Sequence, residues 1–265
     1  MLELRNISKT FNPGTVNAKL ALDGLNLTLN DGDFVTVIGG NGAGKSTMLN
    51  AIAGVWKPDD GKIIIDGVDI TLKPEFKRAK YLGRVFQDPM MGTAADMWLE
   101  ENLALAYRRG RHRSVFRWAI TSKERKMYRE MLEQLGLGLE NRLTTKVGLL
   151  SGGQRQAVTL LMATMNKPKL LLLDEHTAAL DPKTAAKVLE LTDKFVSEGK
   201  LTALMVTHNM KDAIAHGNRL IMMNNGHIIL DVSGEEKKNL TVEMLLEQFS
   251  KASGTEFAND RALLS

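Results

Sequence analysis

A glycine-rich loop between an apolar strand and a helix is the feature that most constrains this fold. Residues 34–38 form a short apolar run, the string GGNGAGKST follows it directly, and residues 47–53 have a helical pattern that stops at Gly54. The spacing of a phosphate-binding loop is met by Gly39, Gly44, Lys45 and Ser46. A strand, a loop and a helix in this order are typical of an α/β fold with a buried, mostly parallel sheet.

The loop residues each have a physical task if the loop holds phosphate. Glycines let backbone N–H groups turn inward around phosphate oxygens, and the following helix adds its favourable dipole. Lys45 reaches the β- and γ-phosphates of a nucleotide, Ser46 can bind Mg²⁺, and Thr47 is expected to contact the α-phosphate. The alternative is a glycine turn with a solvated lysine. The remaining predicted nucleotide contacts in the loop are Asn41, Gly42 and Ala43.

Two adjacent carboxylates follow a second buried strand. Residues 170–173 are all leucine, and Asp174 and Glu175 come directly after them. In a parallel sheet this edge lies beside the phosphate-binding loop, so Asp174 is predicted to hold Mg²⁺ through water. Glu175 is then predicted to polarise the attacking water. The alternative is a pair of exposed acids that cap the next turn.

A second possible phosphate cradle begins another predicted helix, which is expected to end near Asn166. The string Leu150-Ser151-Gly152-Gly153-Gln154 offers a hydroxyl and a cluster of backbone N–H groups at a helix start. Ser151 as an ordinary N-cap explains part of the pattern, but not two glycines at positions where better helix formers are tolerated. One nucleotide does not need both cradles from one chain.

These motifs together resemble the nucleotide-binding subunit of ABC transporters over residues 1–235. By that resemblance, two subunits close head to tail over two ATP molecules, and each site combines one chain's phosphate loop with the partner's Ser151, Gly152, Gly153 and Gln154. The matching segments are the aromatic Phe11, Walker A at 39–47, the Q-loop Gln87, the signature at 150–154, Walker B at 170–175, the D-loop at 179–181 and the switch histidine His208.

The resemblance also assigns roles that spacing alone leaves open. Phe11 is expected to stack on adenine, although core packing explains an aromatic there equally well. Gln87 is expected to contact Mg²⁺ and water, to sense the γ-phosphate and to touch the permease; by itself it is a polar residue in a loop. His208 is expected to hold the γ-phosphate and orient the water, whereas a lone histidine at a strand end is ordinarily unremarkable.

One position departs from the family pattern. The residue after Glu175 is usually proline, and here it is His176. Either His176 is a tolerated substitution in a turn, which is the interpretation we favour because His208 already fills the family role, or it is a second catalytic histidine. The form DEHTAALD also resembles one branch of bacterial importer ATPases that work with a substrate-binding lipoprotein and handle aromatic amino acids.

The chain is expected to form one ABC ATPase domain over residues 1–240, followed by a C-terminal helix and frayed tail at 241–265. This domain combines a P-loop NTPase core of α/β class with an N-terminal antiparallel β subdomain and a helical insertion at about 92–165. Alternating apolar residues predict the antiparallel strands, and the pairs Asp66-Gly67 and Asn225-Gly226 predict hairpins.

Composition limits the location and the partners. No stretch approaches the roughly 18 to 20 consecutive apolar residues that cross a bilayer, and the chain has no cysteine, so we expect a cytosolic protein. The net charge is +4, yet residues 108–130 alone carry +7, and the remainder carries −3. Within the insertion, this basic segment is expected to face acidic permease loops and lipid headgroups rather than nucleic acid.

The expected function is ATP hydrolysis that powers transport through a separate permease, at the cytoplasmic face of the membrane. Import is favoured, with an extracytoplasmic substrate-binding protein and an aromatic amino acid as the substrate. Two alternatives remain open, an exporter ATPase and a soluble ABC ATPase such as those of iron–sulfur cluster assembly. The expected cofactors are ATP and Mg²⁺.

Overall fold

The computed structural model describes residues 1–110 and 120–253 as ten strands, nine α-helices and one short 3-10 helix at Val147–Leu149. The strands are β1 (Leu2–Phe11), β2 (Lys19–Leu29), β3 (Phe34–Ile38), β4 (Asp60–Ile65), β5 (Val68–Asp69), β6 (Leu82–Val85), β7 (Leu170–Asp174), β8 (Ala203–Val206), β9 (Arg219–Asn224) and β10 (His227–Ser233). The helices are α1 (Lys45–Ala53), α2 (Glu75–Arg78), α3 (Leu99–Tyr107), α4 (Ser122–Glu133), α5 (Gly152–Thr164), α6 (Pro182–Gly199), α7 (Met210–Ala215), α8 (Gly234–Lys238) and α9 (Val242–Ser253).

The first sheet is antiparallel and has the order β2-β1-β4-β5. Period-two alternation explains it: Leu25, Leu27 and Leu29 on β2 are buried, while Asn26 and Thr28 between them are exposed. The inward leucines pack in the same core cluster as β3 and α1. This sheet is the antiparallel subdomain that the sequence predicted.

The second sheet has the order β10-β9-β3-β8-β7-β6, and neighbours from β9 to β6 run parallel. β3 and β8 consist wholly of buried residues, as does β7 up to Asp174, as expected for strands covered on both faces. The hairpin from β9 to β10 turns at Asn225 and Gly226, whose φ angles are 45° and 80°. A two-residue turn with both φ angles positive is the type I′ turn that the Asn-Gly pair predicts.

The parallel register brings three functional segments to one sheet edge. β3 lies beside β8, and β8 lies beside β7, with Asp174 paired to Val206 and Val37 also paired to Val206. Chain continuation beyond these positions places the phosphate loop, Glu175 and His208 at the carboxyl ends of neighbouring strands. Such an edge is where ligands bind in open α/β sheets.

Helices α3, α4 and α5 pack together around a second core. Tyr128 and Leu132 on α4 are buried against α3 and α5, and Asn102 on α3 bonds the backbone at Ala94 and Trp98. Among the described residues between 92 and 148, β structure is limited to one isolated bridge from Trp98 to Lys146, so the prediction of mainly helical structure is confirmed there.

The basic segment 108–130 is less free than its charge suggested. Arg125 donates two hydrogen bonds to Glu100, which is buried on α3, at 2.7 and 2.9 Å. Arg108 pairs with Glu124, and Arg109 donates to the backbone oxygen of Ala163. Some of the basic residues that give this segment its charge of +7 therefore stabilise the packing of the helices. Residues 111–119 of this segment lie outside the described part of the chain, and they include Arg111, Arg113, Phe116, Arg117 and Trp118.

The last described element, α9, packs against β9 and α7. Leu245 and Phe249 are buried against Met210, Leu220 and Met222. Of the C-terminal helix and frayed tail predicted at 241–265, residues 254–265 lie outside the described residues. Within the described ranges, no helix has the length and apolar character needed to cross a membrane.

Candidate active site

The phosphate loop has the conformation that its glycines allow. Gly44 precedes α1 with φ of 102°, and a Cβ there would lie 2.7 Å from the backbone oxygen of Ala21. A side chain is therefore excluded on grounds of both backbone and space. Lys45 Nζ donates to the backbone oxygens of Gly39 and Gly40 at 2.6 and 3.1 Å, which holds the lysine along the loop.

An open pocket of about 310 Å³ lies over this loop. Phe11 forms one wall, and its ring stands edge-on to Trp56 with centroids 5.2 Å apart, so it both packs and lines the pocket. The sequence-predicted residues that the structure gathers here are Phe11, Asn41, Gly42, Ala43, Gly44, Lys45, Ser46, Thr47 and Glu175. The loop residues and the aromatic thus share one pocket with the predicted base.

Glu175 has a strained backbone at the end of β7. Its φ is 43°, in the left-handed region that a residue with a Cβ rarely adopts, and its N–H donates to the oxygen of Val206 at 2.9 Å. Such a conformation costs about 1 to 3 kcal/mol and persists only where the surroundings enforce it. Strain of this kind is found preferentially at functional sites, and here it turns the side chain toward the loop pocket.

His208 contacts Glu175 directly. The distance from His208 Nδ1 to Glu175 Oε2 is 3.4 Å, and the imidazole is about half exposed. The carboxylate thus has the histidine on one side and lines the pocket of the phosphate loop on the other. A basic group and a carboxylate at this separation can jointly orient a water molecule.

Asp174 is the more buried of the two acids. Burial raises its pKa, while the cations of Arg84 and Lys45 oppose that rise and the neighbouring Glu175 adds to it. Arg84 Nη2 lies 3.4 Å from Asp174 Oδ2. Asp174 therefore lies between the lysine of the loop and an arginine that no sequence motif indicated.

Gln87 is not brought into this pocket. Its side chain is exposed just beyond β6, whereas the preceding Phe86 is fixed because its backbone oxygen accepts from Gln156 Nε2 at 3.1 Å. Arg155, beside Gln156 on α5, contacts the sulfur of Met90. The segment that contains Gln87 is thus attached to the helix that follows the signature.

The signature begins α5 and lies away from the phosphate loop of its own chain. Ser151 is the N-cap: its Oγ accepts from the Gln154 N–H at 3.3 Å, and Gln154 Oε1 accepts from the Ser151 N–H at 3.2 Å. A Cβ on Gly153 would lie 2.0 Å from Thr184 Cγ2 on α6. Packing against α6 is therefore enough to require one of the two glycines, an explanation that the sequence argument lacked. None of residues 150–154 is among the described residues that line the loop pocket.

His176 points into the core. It is almost fully buried, and its Nε2 lies 3.0 Å from Thr192 Oγ1 on α6. Because Thr192 Oγ1 donates its hydrogen to the Val188 oxygen at 2.9 Å, the histidine nitrogen is the donor in this pair. Burial lowers the pKa of His176 to about 4. The ring is neutral at physiological pH and is absent from the described lining of the loop pocket.

The burial of His176 predicts a pH-dependent stability. Its folded pKa is below the unfolded value of 6.5, so unfolding takes up a proton when the pH falls between these values. In the wild type, the free energy of unfolding should therefore fall by up to about 1.4 kcal/mol for each pH unit of acidification in this window. We expect His176→Gln, whose amide can still donate to Thr192, to lose this pH dependence. Urea unfolding at pH 5 and pH 7 measures the free energy of unfolding of each protein. An equal change between the two pH values in wild type and variant would contradict the prediction.

A larger groove of about 600 Å³ also reaches Glu175. It lies between α6 and α7 and is lined by His208, Asp212, His216 and Asp193. None of its described lining residues belongs to the phosphate loop. The smaller pocket, in contrast, is lined by the phosphate loop with Lys45, a lining that suits an anion. Within the described residues, no cluster of three or more acidic or histidine side chains could hold a metal ion.

Two residues of the site were missed from sequence. Lys19 on β2 lines the loop pocket, and its Nζ lies 2.9 Å from the position a Gly42 Cβ would take. Arg84 on β6 approaches Asp174. Neither residue belongs to a motif, and only the strand register brings each to the site. The odd placement of a charged residue in the short apolar strand β6 was the one available signal for Arg84.

A strand that runs into a glycine loop and helix, with an Asp-Glu pair on a nearby parallel strand, defines a P-loop NTPase. The chain matches the family described as ABC transporter over residues 22–178. It therefore belongs to that family, as an ATP-binding subunit with ATPase activity.

The relatives agree with this assignment. The chain is 47% identical over 257 residues to the tyrosine transport ATP-binding protein of Clostridioides difficile, with 95% of this chain and 100% of the relative covered. It is 34% identical to the spermidine/putrescine import ATP-binding protein PotA of Pasteurella multocida, covering 96% of this chain and 65% of that relative.

Solved structures share the fold. One is a dimeric ATP-binding cassette in a post-hydrolysis state bound to ADP and Pi, with a TM-score of 0.74, 32% identity, and 88% of this chain and 98% of that chain covered. Another is an ATP-binding cassette of an ABC transporter in its ADP conformation, with a TM-score of 0.77, 31% identity, and 94% and 98% covered.

Proposed function

We propose that this chain is the ATPase subunit of an importer for an aromatic amino acid, and that it works as a dimer on a separate membrane permease. The observation that carries the ATPase part is the contact of Glu175 with His208 beside the loop pocket. The importer part is supported by two relatives whose names specify tyrosine transport and polyamine import.

The predicted metal ligands suit Mg²⁺. Ser46 supplies a hydroxyl, Asp174 a carboxylate and Gln87 an amide oxygen, which are the hard oxygen donors this ion prefers. Ser46 lines the loop pocket, and the Asp174 carboxylate is close enough to Lys45 to feel its charge. When bound, Mg²⁺ would neutralise charge on the phosphates. Gln87 must move inward to join the other two donors.

The hydrolysis step follows from the positions of the chain's own groups. Glu175 accepts a hydrogen bond from the attacking water, and His208 orients the same water and the γ-phosphate. As the bond from water oxygen to γ-phosphorus forms, the bond to the bridging β–γ oxygen breaks, and the proton of the water passes to the carboxylate or to phosphate. Lys45 remains on the phosphates throughout and stabilises their charge.

The signature is proposed to complete the site of a second subunit. In its own chain Ser151 starts a helix outside the described lining of the loop pocket, and the start of a helix suits binding of an anion from a partner. Two copies related by a twofold axis would bring each signature to the other's phosphate loop. The ATP-binding cassette with ADP and Pi, to which this chain is similar, is dimeric.

The permease is proposed to dock beside the Gln87 segment. Met90, Met91 and Leu149 are exposed apolar side chains, and Trp98 is partly exposed nearby on the same subdomain. Arg155 joins Met90 to the backbone at Gly148, the residue before Leu149. An apolar surface of this kind fits a protein partner. Docking there would hold the chain at the cytoplasmic face of the membrane.

Purification of the native complex tests this proposal. We expect the chain to copurify from membranes with permease subunits, and the complex in vesicles with its binding protein to take up labelled tyrosine or phenylalanine in an ATP-dependent way. Efflux instead of uptake would favour an exporter. Recovery of the chain wholly in the soluble fraction, with no membrane subunit, would refute the transport function and favour a soluble ABC ATPase.

A further inference from the structure

Arg84 connects three parts of the site from the end of β6. Its Nη2 donates to Asn50 Oδ1 on α1 at 2.6 Å and lies 3.4 Å from Asp174 Oδ2. Its guanidinium carbon lies 4.5 Å from the ring centroid of Phe86. The side chain is 13% exposed, so these contacts are largely shielded from water.

The contacts of Arg84 are unequal. The bond to Asn50 is short, and the ring of Phe86 covers the guanidinium, whereas the approach to Asp174 is long. The guanidinium is therefore anchored by Asn50 and Phe86. Its contact with Asp174 is made to one carboxylate oxygen, Oδ2.

Stability of the fold alone does not explain an arginine at position 84. Arg84 Nε is buried and has no hydrogen-bond acceptor among the described residues. A buried donor without a partner costs about 1 to 3 kcal/mol, and a partly buried ion pair can often be replaced by apolar side chains without loss. An apolar residue would pack on Phe86 as well as an arginine does, so the charge itself needs an explanation.

We propose that Arg84 is a positioning residue for the metal site. It orients the carboxylate of Asp174 through one oxygen, and by stacking on Phe86 it fixes the residue from which Gln87 extends. One guanidinium thereby contacts one predicted Mg²⁺ ligand, Asp174, and the residue that precedes another, Gln87. The inference rests on the proposed role of Asp174 and Gln87. Residues that hydrogen-bond to metal ligands typically contribute about 10- to 100-fold to metal affinity or activity.

The test measures Mg²⁺ binding apart from catalysis. A fluorescent, non-hydrolysable ATP analogue is bound first in EDTA and then during a Mg²⁺ titration. We expect Arg84→Met to bind the analogue as wild type does in EDTA, because the phosphate loop is intact, but to need about tenfold more Mg²⁺ for the half-maximal change. Arg84→Lys keeps the charge without the fork and should recover part of this loss.

Substitutions of Asn50, which anchors Arg84, and of Arg219, an arginine remote from the site, provide matched comparisons. Asn50→Ala removes the anchor without touching Asp174, and we expect a smaller shift in the same direction. Arg219→Met removes an arginine that bonds Asp231 and the Thr28 oxygen away from the site, and its Mg²⁺ titration should equal that of wild type. Thermal unfolding of each variant shows whether it is folded.

The outcomes distinguish a failure of the role proposed for Arg84 from a failure of the proposed set of Mg²⁺ ligands. An unchanged or lower Mg²⁺ requirement in folded Arg84→Met would overturn the positioning role, since a lower requirement would mean that arginine competes with the ion. Asp174→Asn tests the metal site directly. If Asp174→Asn shifts the titration and Arg84→Met does not, the inference about Arg84 alone fails; if neither shifts, the proposed ligand set fails.

Discussion

Glu175→Gln is expected to lower steady-state ATP turnover by at least about 100-fold while leaving ATP binding intact. The amide keeps the size of the side chain but is a poor proton acceptor, so the water beside His208 loses its base. Binding should not weaken, because the substitution removes a negative charge that lines the pocket of a polyphosphate. Phosphate release under saturating ATP measures turnover, and a fluorescent ATP analogue measures binding.

The control for this prediction is Glu198→Gln, the same change at an exposed position on α6. Its turnover should equal that of wild type. Glu175 also has a strained backbone, with φ of 43°, so a loss of folding must be separated from a loss of chemistry. A folded Glu175→Gln protein that still turns over ATP at a tenth of the wild-type rate or faster would exclude Glu175 as the principal base.

The fold was accessible from sequence wherever local pattern and burial coincide. The leucines of β7 and the apolar run of β3 read as strands because both faces of a parallel sheet are buried, and residues 225–226 could turn in few other ways. The helix expected to end near Asn166 ends at Thr164, a small difference at a helix end that pattern does not fix.

Contacts made by register were not accessible in the same way. Lys19 and Arg84 lie on strands outside every motif, and the sequence signal was limited to the charge of Arg84 within an apolar strand; each residue reaches the site because of its neighbours in the sheet. The same limit applies to Gly153. Sequence suggested a purely anion-binding reason for this glycine, whereas its contact with Thr184 depends on how α5 meets α6.

Charge shows the limit most clearly. The count of basic residues in 108–130 suggested an exposed docking surface. A count does not reveal that Arg125 is paired with the buried Glu100, which lies 25 residues earlier in the chain. Likewise, His176 after Glu175 suggested a group near the carboxylates. The ring turns instead toward Thr192, whose hydroxyl oxygen accepts the hydrogen of Nε2 in the core.

Ser151→Arg is expected to abolish ATP-dependent dimerisation while each subunit still binds ATP. Ser151 lies at the exposed start of α5, outside the described lining of its own loop pocket, so an arginine there leaves the Walker A pocket unchanged. In a head-to-tail dimer the same arginine would fill the space of the partner's γ-phosphate. Loss of the N-cap costs only about 1 kcal/mol, which a folded domain tolerates.

The experiment uses the Glu175→Gln background, in which ATP is not consumed, and measures mass by light scattering with and without ATP. Ser151→Ala removes the hydroxyl, as N-cap and as proposed phosphate contact, without adding bulk, and should retain dimers, although weaker ones. Ser197→Arg places the same side chain at an exposed serine on α6 and should dimerise as the parent does. If Ser151→Arg dimerises as readily as Ser197→Arg, the signature does not meet a partner's nucleotide, and a shared site is refuted. If Ser151→Arg binds ATP but stays monomeric, the signature at 150–154 binds the nucleotide of the partner subunit. This would explain why one chain carries both a phosphate loop and a signature.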